Sequence, residues 1–259
     1  MASAPQAQGL PILYNDLMPL SKLDHASWKV RPLESLDFIG TVHAIPLTTE
    51  ELPIAMRFYP VVFSSGAEPV PLALMGLNEG VNVFVGADGQ PTPANVYLPA
   101  YVRRYPYMLA RLRPDADEMS LCFDPGSGLV GEFDEGTPLF EGEEPTQQVK
   151  DILAFCEQFE VSAQRTQQFM KDLVEMGLLE DGEVTIQHPQ SSQPYLYRGF
   201  QMVNEAKLRE LRGDQLRKMN QNGMLVLIHA HLFSLNLMSD VFNRQMELGK
   251  VPPQVDLGL

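Results

Sequence analysis

An α+β fold follows from three features of this 259-residue sequence. Short apolar runs, each bounded by Pro, Gly or Asn, recur between residues 28 and 123, as brief antiparallel strands do. From residue 146 onward apolar residues take helical spacing instead, and two-residue alternation returns once, at 183–187 and 195–201. The expectation is an antiparallel β meander with short helices in the N-terminal half, then a mainly helical C-terminal half containing a β-pair.

Residues 1–20, rich in Pro, Gly, Ala and Gln, read as a flexible N-terminal arm. A single domain is expected over residues 21–249, β-rich over about 21–140 and mainly helical over about 141–249, with 250–259 as a C-terminal tail. An apolar share of 44% fills the core of such a domain without disulfide staples. Extended segments are expected at 28–30 and 38–45. Thr48-Thr49-Glu50-Glu51 supply a cap and first-turn acids for a short helix through Phe58, with Pro53 near its start and Tyr59-Pro60 stopping it. Strands are expected at 61–63, 72–76 and 81–85, the last closed by the Ala87-Asp88-Gly89 turn.

Pro99 suits the first turn of a helix to about Tyr105, and Pro106 disfavours helix at the residue before it. A strand at 119–123 is expected next. Two amphipathic helices follow, one over 146–159 and one over about 162–176, with Gly177 as the C′ residue of the second. After the β-pair, Asn204 and Asp214 each cap a helix, and Gly223 opens a last, largely apolar helix through about Met246. Two helices, Gly177-Leu178-Leu179 and a β-pair are also in winged-helix order. A DNA-binding version would be basic there, whereas Lys171 stands against Asp172, Glu175, Glu180, Asp181 and Glu183.

The formal net charge is −14, and it is concentrated. Residues 115–186 carry 18 of the 33 acids against three bases, a local balance of −15 that phosphate backbones repel, so nucleic acid is not an expected partner. Cys122 and Cys156 lack CxxC spacing and read as small buried thiols in a reducing compartment. The N-terminus has neither the basic nor the apolar part of a secretory signal, and the apolar run at 224–228 is interrupted by His229 and His231 short of a membrane span. A cytoplasmic protein without a transmembrane segment is expected, with export to the cell surface by an uncleaved signal as the alternative.

Catalytic and cofactor motifs are not found. The sequence has no Gly-x-Gly-x-x-Gly, no P-loop and no Gly-x-Ser-x-Gly elbow. None of the five histidines, His25, His43, His188, His229 and His231, begins a His-x-Asp/Glu pair, and no cofactor or metal is expected. On one helix His229 and His231 point about 200° apart, which pairs a buried, hydrogen-bonded histidine with one facing a cleft or solvent. The most distinctive stretch is Tyr97-Leu-Pro-Ala-Tyr-Val-Arg-Arg-Tyr-Pro-Tyr107. Tyrosine offers a rigid apolar body with a polar tip and arginine a planar donor fork, which together suit docking better than bond-breaking. Tyr97, Tyr101 and Tyr105 are the candidates for stacking, Arg103 and Arg104 for anion pairing, and His229 and His231 for a cleft.

Several stretches resemble the SapC family. They are Tyr59-Pro-Val-Val-Phe63, Pro71-Leu-Ala-Leu-Met-Gly-Leu77, Asn82-Val-Phe-Val85 before Asp88-Gly89, Leu98-Pro-Ala-Tyr-Val-Arg-Arg-Tyr-Pro106, Pro138-Leu-Phe140, Gly177-Leu-Leu179 and Ile228-His-Ala-His-Leu-Phe-Ser234. The resemblance spans about residues 10–246, and the Pro-Ala-Tyr-Val-Arg-Arg-Tyr-Pro element is its specific part. Members are encoded beside TonB-dependent receptors, flavin-dependent tryptophan halogenases and cupin-type iron oxygenases. The resemblance thus implies a non-catalytic accessory protein that binds a peptide or a modifying enzyme such as a halogenase or cupin-type oxygenase, linked to peptide or siderophore modification or uptake. The family's name, from a surface-layer gene product, implies the alternative of an S-layer-associated structural protein. An enzyme using His229 or His231 with the tyrosines is the third reading.

Overall fold

The computed structural model describes residues 10–112, 118–187 and 194–251. Most of the N-terminal arm, His188 in the loop of the β-pair, and Pro252-Pro253 of the tail lie outside the described residues.

The strands are β1 (Met18–Pro19), β2 (Lys29–Val30), β3 (Ala44–Pro46), β4 (Val61–Ser64), β5 (Pro71–Leu74), β6 (Tyr107–Ala110), β7 (Ser120–Phe123), β8 (Val130–Gly131), β9 (Thr137–Pro138), β10 (Phe140–Glu141), β11 (Glu144–Pro145), β12 (Leu179–Ile186) and β13 (Tyr195–Val203). The α-helices are α1 (Lys22–His25), α2 (Leu52–Ala55), α3 (Ala100–Arg103), α4 (Gln147–Glu175), α5 (Glu205–Arg209), α6 (Gly213–Gln221), α7 (Met224–Ser234) and α8 (Met238–Glu247). This is a mixed α+β fold with a helical C-terminal region. The chain forms two units, each built from two stretches: the described residues up to Glu34 with Arg104–Glu160, and Ser35–Arg103 with the residues from Val161 on.

The first unit holds two three-stranded antiparallel sheets, β1-β7-β6 and β8-β2-β9, and the β10-β11 hairpin. Its strands are two to four residues long, so the core is filled by side chains from many segments: Val30, Tyr107, Phe123, Leu139, and Val149 and Cys156 from α4. Burial pushes the Cys156 thiol up to about 11 and Cys122 in the same direction. Both are buried and free, in a helix and a strand as expected.

The second unit is organised by one five-stranded antiparallel sheet in the order β12-β13-β4-β5-β3. Alternation along β4 sends neighbouring residues to opposite faces. Phe63 joins Phe169, Leu173, Val203 and Ile228 in one apolar cluster, while Val62 joins Leu74, Ile186, Phe200 and Phe242 in another. The expected C-terminal β-pair therefore completes the sheet begun by β3, β4 and β5. Gly182 lies at the irregularity in β12, and the Phe200 ring covers it so closely that a Cβ there would sit 2.0 Å from a ring carbon. A side chain at 182 displaces that ring.

Several expectations are corrected. The stretch expected to hold two helices forms one, α4 (Gln147–Glu175), so the two-helix order of a winged helix is absent. Ser162, the expected start of the second helix, lies within α4, where its hydroxyl donates to Glu50 Oε2 (2.8 Å). Residues 81–85 form no strand because the buried Asn82 binds laterally: its Nδ2 donates to Ile39 O (2.9 Å) and its Oδ1 accepts from the Phe84 amide (2.8 Å). Residues 37–39 turn as a 3₁₀ helix before β3. The Glu51 helix is a 3₁₀ turn (Thr49–Glu51) followed by α2. Asp214 lies inside α6, ion-paired to Arg212, and does not cap it. Other signals hold: Asn204 Oδ1 accepts the Lys207 amide (2.8 Å), and Gly177, at φ 64°, closes α4 with the amides of Gly177 and Leu178 bonded to Val174 O and Leu173 O.

The last expected helix is broken only by a 3₁₀ turn at Leu235–Leu237. Residues 224–247 are long and apolar enough to cross a membrane by length and composition alone. In the structure the same stretch gives Met224, Ile228, Met238 and Phe242 to the clusters of the second unit.

Candidate functional site

The distinctive Tyr/Arg run divides between the units at the bond joining Arg103 to Arg104. In the second unit, residues 97–103 form an arm fixed to Glu51. This carboxylate is 5% exposed and accepts four hydrogen bonds: from the Thr48 amide (2.8 Å) and hydroxyl (2.9 Å) at Oε2, and from the Tyr97 hydroxyl (2.9 Å) and Ala100 amide (2.6 Å) at Oε1. Bonds to a buried carboxylate are strong, so Glu51 sets where α3 begins. Tyr59 holds the arm a second time, its buried hydroxyl donating to Tyr97 O (2.5 Å). Burial and then the Glu51 charge push the Tyr97 phenol up to about 12, so it remains a donor at any physiological pH.

Arg103 is the exposed tip of this arm. Its Nε donates to Leu98 O (3.1 Å), Nη2 to the Tyr97 hydroxyl (3.2 Å), and the guanidinium carbon lies 5.6 Å from the Tyr97 ring centroid. Glu51, Tyr97 and Arg103 thus form a relay in which a buried acid orients a phenol and the phenol orients a cation. Tyr101, on α3, is buried at 5% exposure.

In the first unit the run continues inward. Arg104 is buried, its guanidinium carbon 4.1 Å from the Phe159 ring centroid and 5.8 Å from that of Tyr14, with Nη1 3.5 Å from Glu160 Oε1. Burial raises the Glu160 carboxyl and the Arg104 charge opposes that rise. Tyr105 meets Tyr14 edge to face at 5.4 Å, and its phenol is raised, chiefly by burial and then by Asp124. The Tyr14 hydroxyl in turn donates to Tyr107 O (2.7 Å).

The two histidines of α7 separate as their spacing predicts. His229 is exposed and stacks on the exposed Phe233 at 5.9 Å. His231 is fully buried against Phe63, with ring centroids 4.5 Å apart. Its Nε2 accepts the Val203 amide (3.1 Å) while Nδ1 donates to Val61 O (2.7 Å), so the neutral imidazole bridges β13 and β4. Regular pairing of those strands covers only Phe200 with Ser64 and Gln201 with Phe63, and the ring serves as the next rung. Burial holds the imidazole at about 4, the bond to Val61 O opposing this in part.

Sequence reasoning missed Glu51, Tyr59 and Arg244. Glu51 had a signal, its place three residues after Thr48, but that spacing marks a local cap and not the distant Ala100 amide. The second unit also has open clefts, among them one lined by Met202, Asn204, Arg209, Leu232 and Leu235 and another lined by Val83, Thr92, Pro93, Arg244, Glu247 and Leu248. Among the described residues, no group of three His, Cys, Asp or Glu side chains is placed to hold a metal ion.

A mixed α+β protein whose specific motif divides into an anchored surface arm and a buried aromatic cluster is the class defined so far. The SapC family model matches residues 20–241, and the chain belongs to that family. No curated protein and no solved structure matches it.

Proposed function

We propose that this SapC-family chain is a non-catalytic binding protein of the cytoplasm that docks a peptide, or an enzyme that modifies one, on the surface around Arg103 and Tyr97. The observation that carries the reading is the relay itself: an exposed guanidinium lies over an aromatic ring whose hydroxyl is fixed by a buried carboxylate. Such a cation has lost much of its rotamer freedom before a partner arrives, and preorganisation raises affinity by removing that cost. Carboxylates and backbone carbonyls of a peptide are the groups it suits. The modifying enzymes expected from the family's gene neighbours, a flavin-dependent halogenase or a cupin-type oxygenase, are the partners we assign to it.

The test is affinity capture from the native cells, soluble and envelope fractions analysed apart, with the wild-type chain and Arg103→Ala. Soluble recovery of such an enzyme by the wild type and its loss with a folded Arg103→Ala variant is the expected result. Equal recovery by both removes Arg103 from the interface, and recovery of envelope components alone removes the cytoplasmic role.

A further inference from the structure

The cleft beside α8 contains a cation that the Tyr/Arg arm does not use. Arg244 is half-buried, its guanidinium carbon 4.8 Å from the Phe84 ring centroid and Nη1 3.4 Å from Thr92 O. Among the described residues no carboxylate lies within ion-pair distance of it, whereas Arg165, Arg198, Arg209 and Arg212 each have one. Surface arginines can leave a partner to water, but this one is held on both sides. Phe84 is 3% exposed and itself meets the buried Tyr59 ring edge to face at 4.6 Å, so the platform under the guanidinium is fixed.

The helix is fixed as well. Gln245, the residue after Arg244, is fully buried; its Oε1 accepts the Leu77 amide (2.5 Å) and its Nε2 donates to Asn78 Oδ1 (3.0 Å) and Lys250 O (3.1 Å). These bonds set the rotation of the last turn of α8, and with it where Arg244 and Glu247 stand. Residues three apart on a helix are surface neighbours, so the two opposite charges line one cleft a turn apart. Thr92 also lines the cleft, and the rest of the lining, Val83, Pro93 and Leu248, is apolar.

We propose that this cleft is a binding site for a small zwitterion with an apolar side chain, an α-amino acid in chemical class. Arg244 takes the carboxylate by its planar fork, Glu247 takes the ammonium, and Val83, Pro93 and Leu248 cover the side chain. Three features select this class. A simple anion is repelled by Glu247 and a simple cation by Arg244, so only a ligand carrying both charges satisfies the pair. Apolar walls add the burial energy that a charge pair open to water does not supply by itself. The cleft's volume, ≈ 260 Å³, suits one amino acid rather than a nucleotide or an extended peptide. This site is separate from the Arg103 reading and stands or falls without it.

The test uses three probes on the full chain: L-leucine, N-acetyl-L-leucine, which lacks the ammonium, and L-leucinamide, which lacks the carboxylate. Binding is read by NMR from the Arg244 Nε–H and the amides of Val83 and Leu248. Leucine is expected to move all three signals, and each single-charge probe to bind at least about tenfold more weakly, the loss of one interaction of about 1.4 kcal/mol. Arg244→Gln is expected to abolish the leucine response, and Arg244→Lys, which keeps the charge but not the fork, to retain part of it. Glu247→Gln is expected to reverse the preference towards N-acetyl-leucine. Circular dichroism confirms that each variant is folded. No response to leucine at about 10 mM, far above the affinity of a specific small-ligand site, overturns the proposal. Undiminished leucine binding by Arg244→Gln overturns it too, as does equal binding of leucine and N-acetyl-leucine by the wild type.

Discussion

The Tyr/Arg run and helix α7 each bury one of two neighbouring basic residues and leave the other at the surface, and they accommodate the buried one by opposite means. Arg104 keeps its charge and is surrounded by Phe159, Tyr14 and Glu160. His231 gives up its charge and is satisfied by two backbone groups, the Val203 amide and the Val61 carbonyl. The difference comes from the side chains. Arginine holds its proton at any accessible pH, so burying it demands π-faces or an anion, whereas imidazole titrates near neutrality and enters as a neutral donor and acceptor. The His231 bridge is therefore an acid-sensitive rung.

The surface half of the Tyr/Arg run is broken most severely at Glu51. Glu51→Ala leaves four donors, three of them buried, without their acceptor and is expected to destabilise the second unit by about 4 kcal/mol, read by chemical denaturation. Glu51→Gln, which keeps the shape but brings its own N–H donors, should cost about half as much. Wild-type stability in Glu51→Ala would show that the arm is held elsewhere.

His231 sharpens the comparison through pH. Its folded pKa, about 4, lies below the ordinary value of 6.5, so between those limits the unfolded chain binds a proton that the folded chain refuses. The stabilisation is complete above about pH 6.5 and is lost as pH falls towards 4, by about 3 kcal/mol in all. Denaturation midpoints from pH 8 down to 4 should show this slope in the wild type, and His231→Gln, which cannot titrate, should lack it. The same slope in both proteins would assign the acid sensitivity to other groups.

Arg104→Ala tests the charge-keeping member. Loss of its contacts with Phe159 and Tyr14, together with a half-buried Glu160 left without its cation, is expected to cost about 2 kcal/mol. Arg104→Lys should recover only part, since an ammonium has no plane to lie on the ring.

These contrasts mark what the sequence makes legible. Strands β4, β5 and β7, the Asn204 cap and the Gly177 stop are local signals, carried by residues within a few positions of where they act. Division of the histidines into buried and exposed was also legible, because helical geometry alone requires it. The single helix α4 was not, since Ser162 spends its hydroxyl on Glu50 in another segment. Nor was the burial of Arg104: its compensating ring, Phe159, is remote in sequence, and nothing about an Arg-Arg pair says which member has one. Glu51 shows the same limit, with a local capping signal pointing to a role that the structure completes at Ala100.

The smallest effects belong to the exposed members, and they decide whether the surface half of each region is functional. Arg103 and His229 contribute little burial, and substitution of either by Ala should leave stability within about 0.5 kcal/mol of wild type. Arg103→Ala should nonetheless lose the partner, because it removes the one charge the arm presents while leaving Glu51, Tyr59 and Tyr97 to hold the backbone in place. His229→Ala has no such anchored support behind it, only the stack on Phe233, and should capture the partner as the wild type does. Loss of capture in His229→Ala with retention in Arg103→Ala would move the interface from the arm to α7 and leave the Glu51 relay as part of the scaffold.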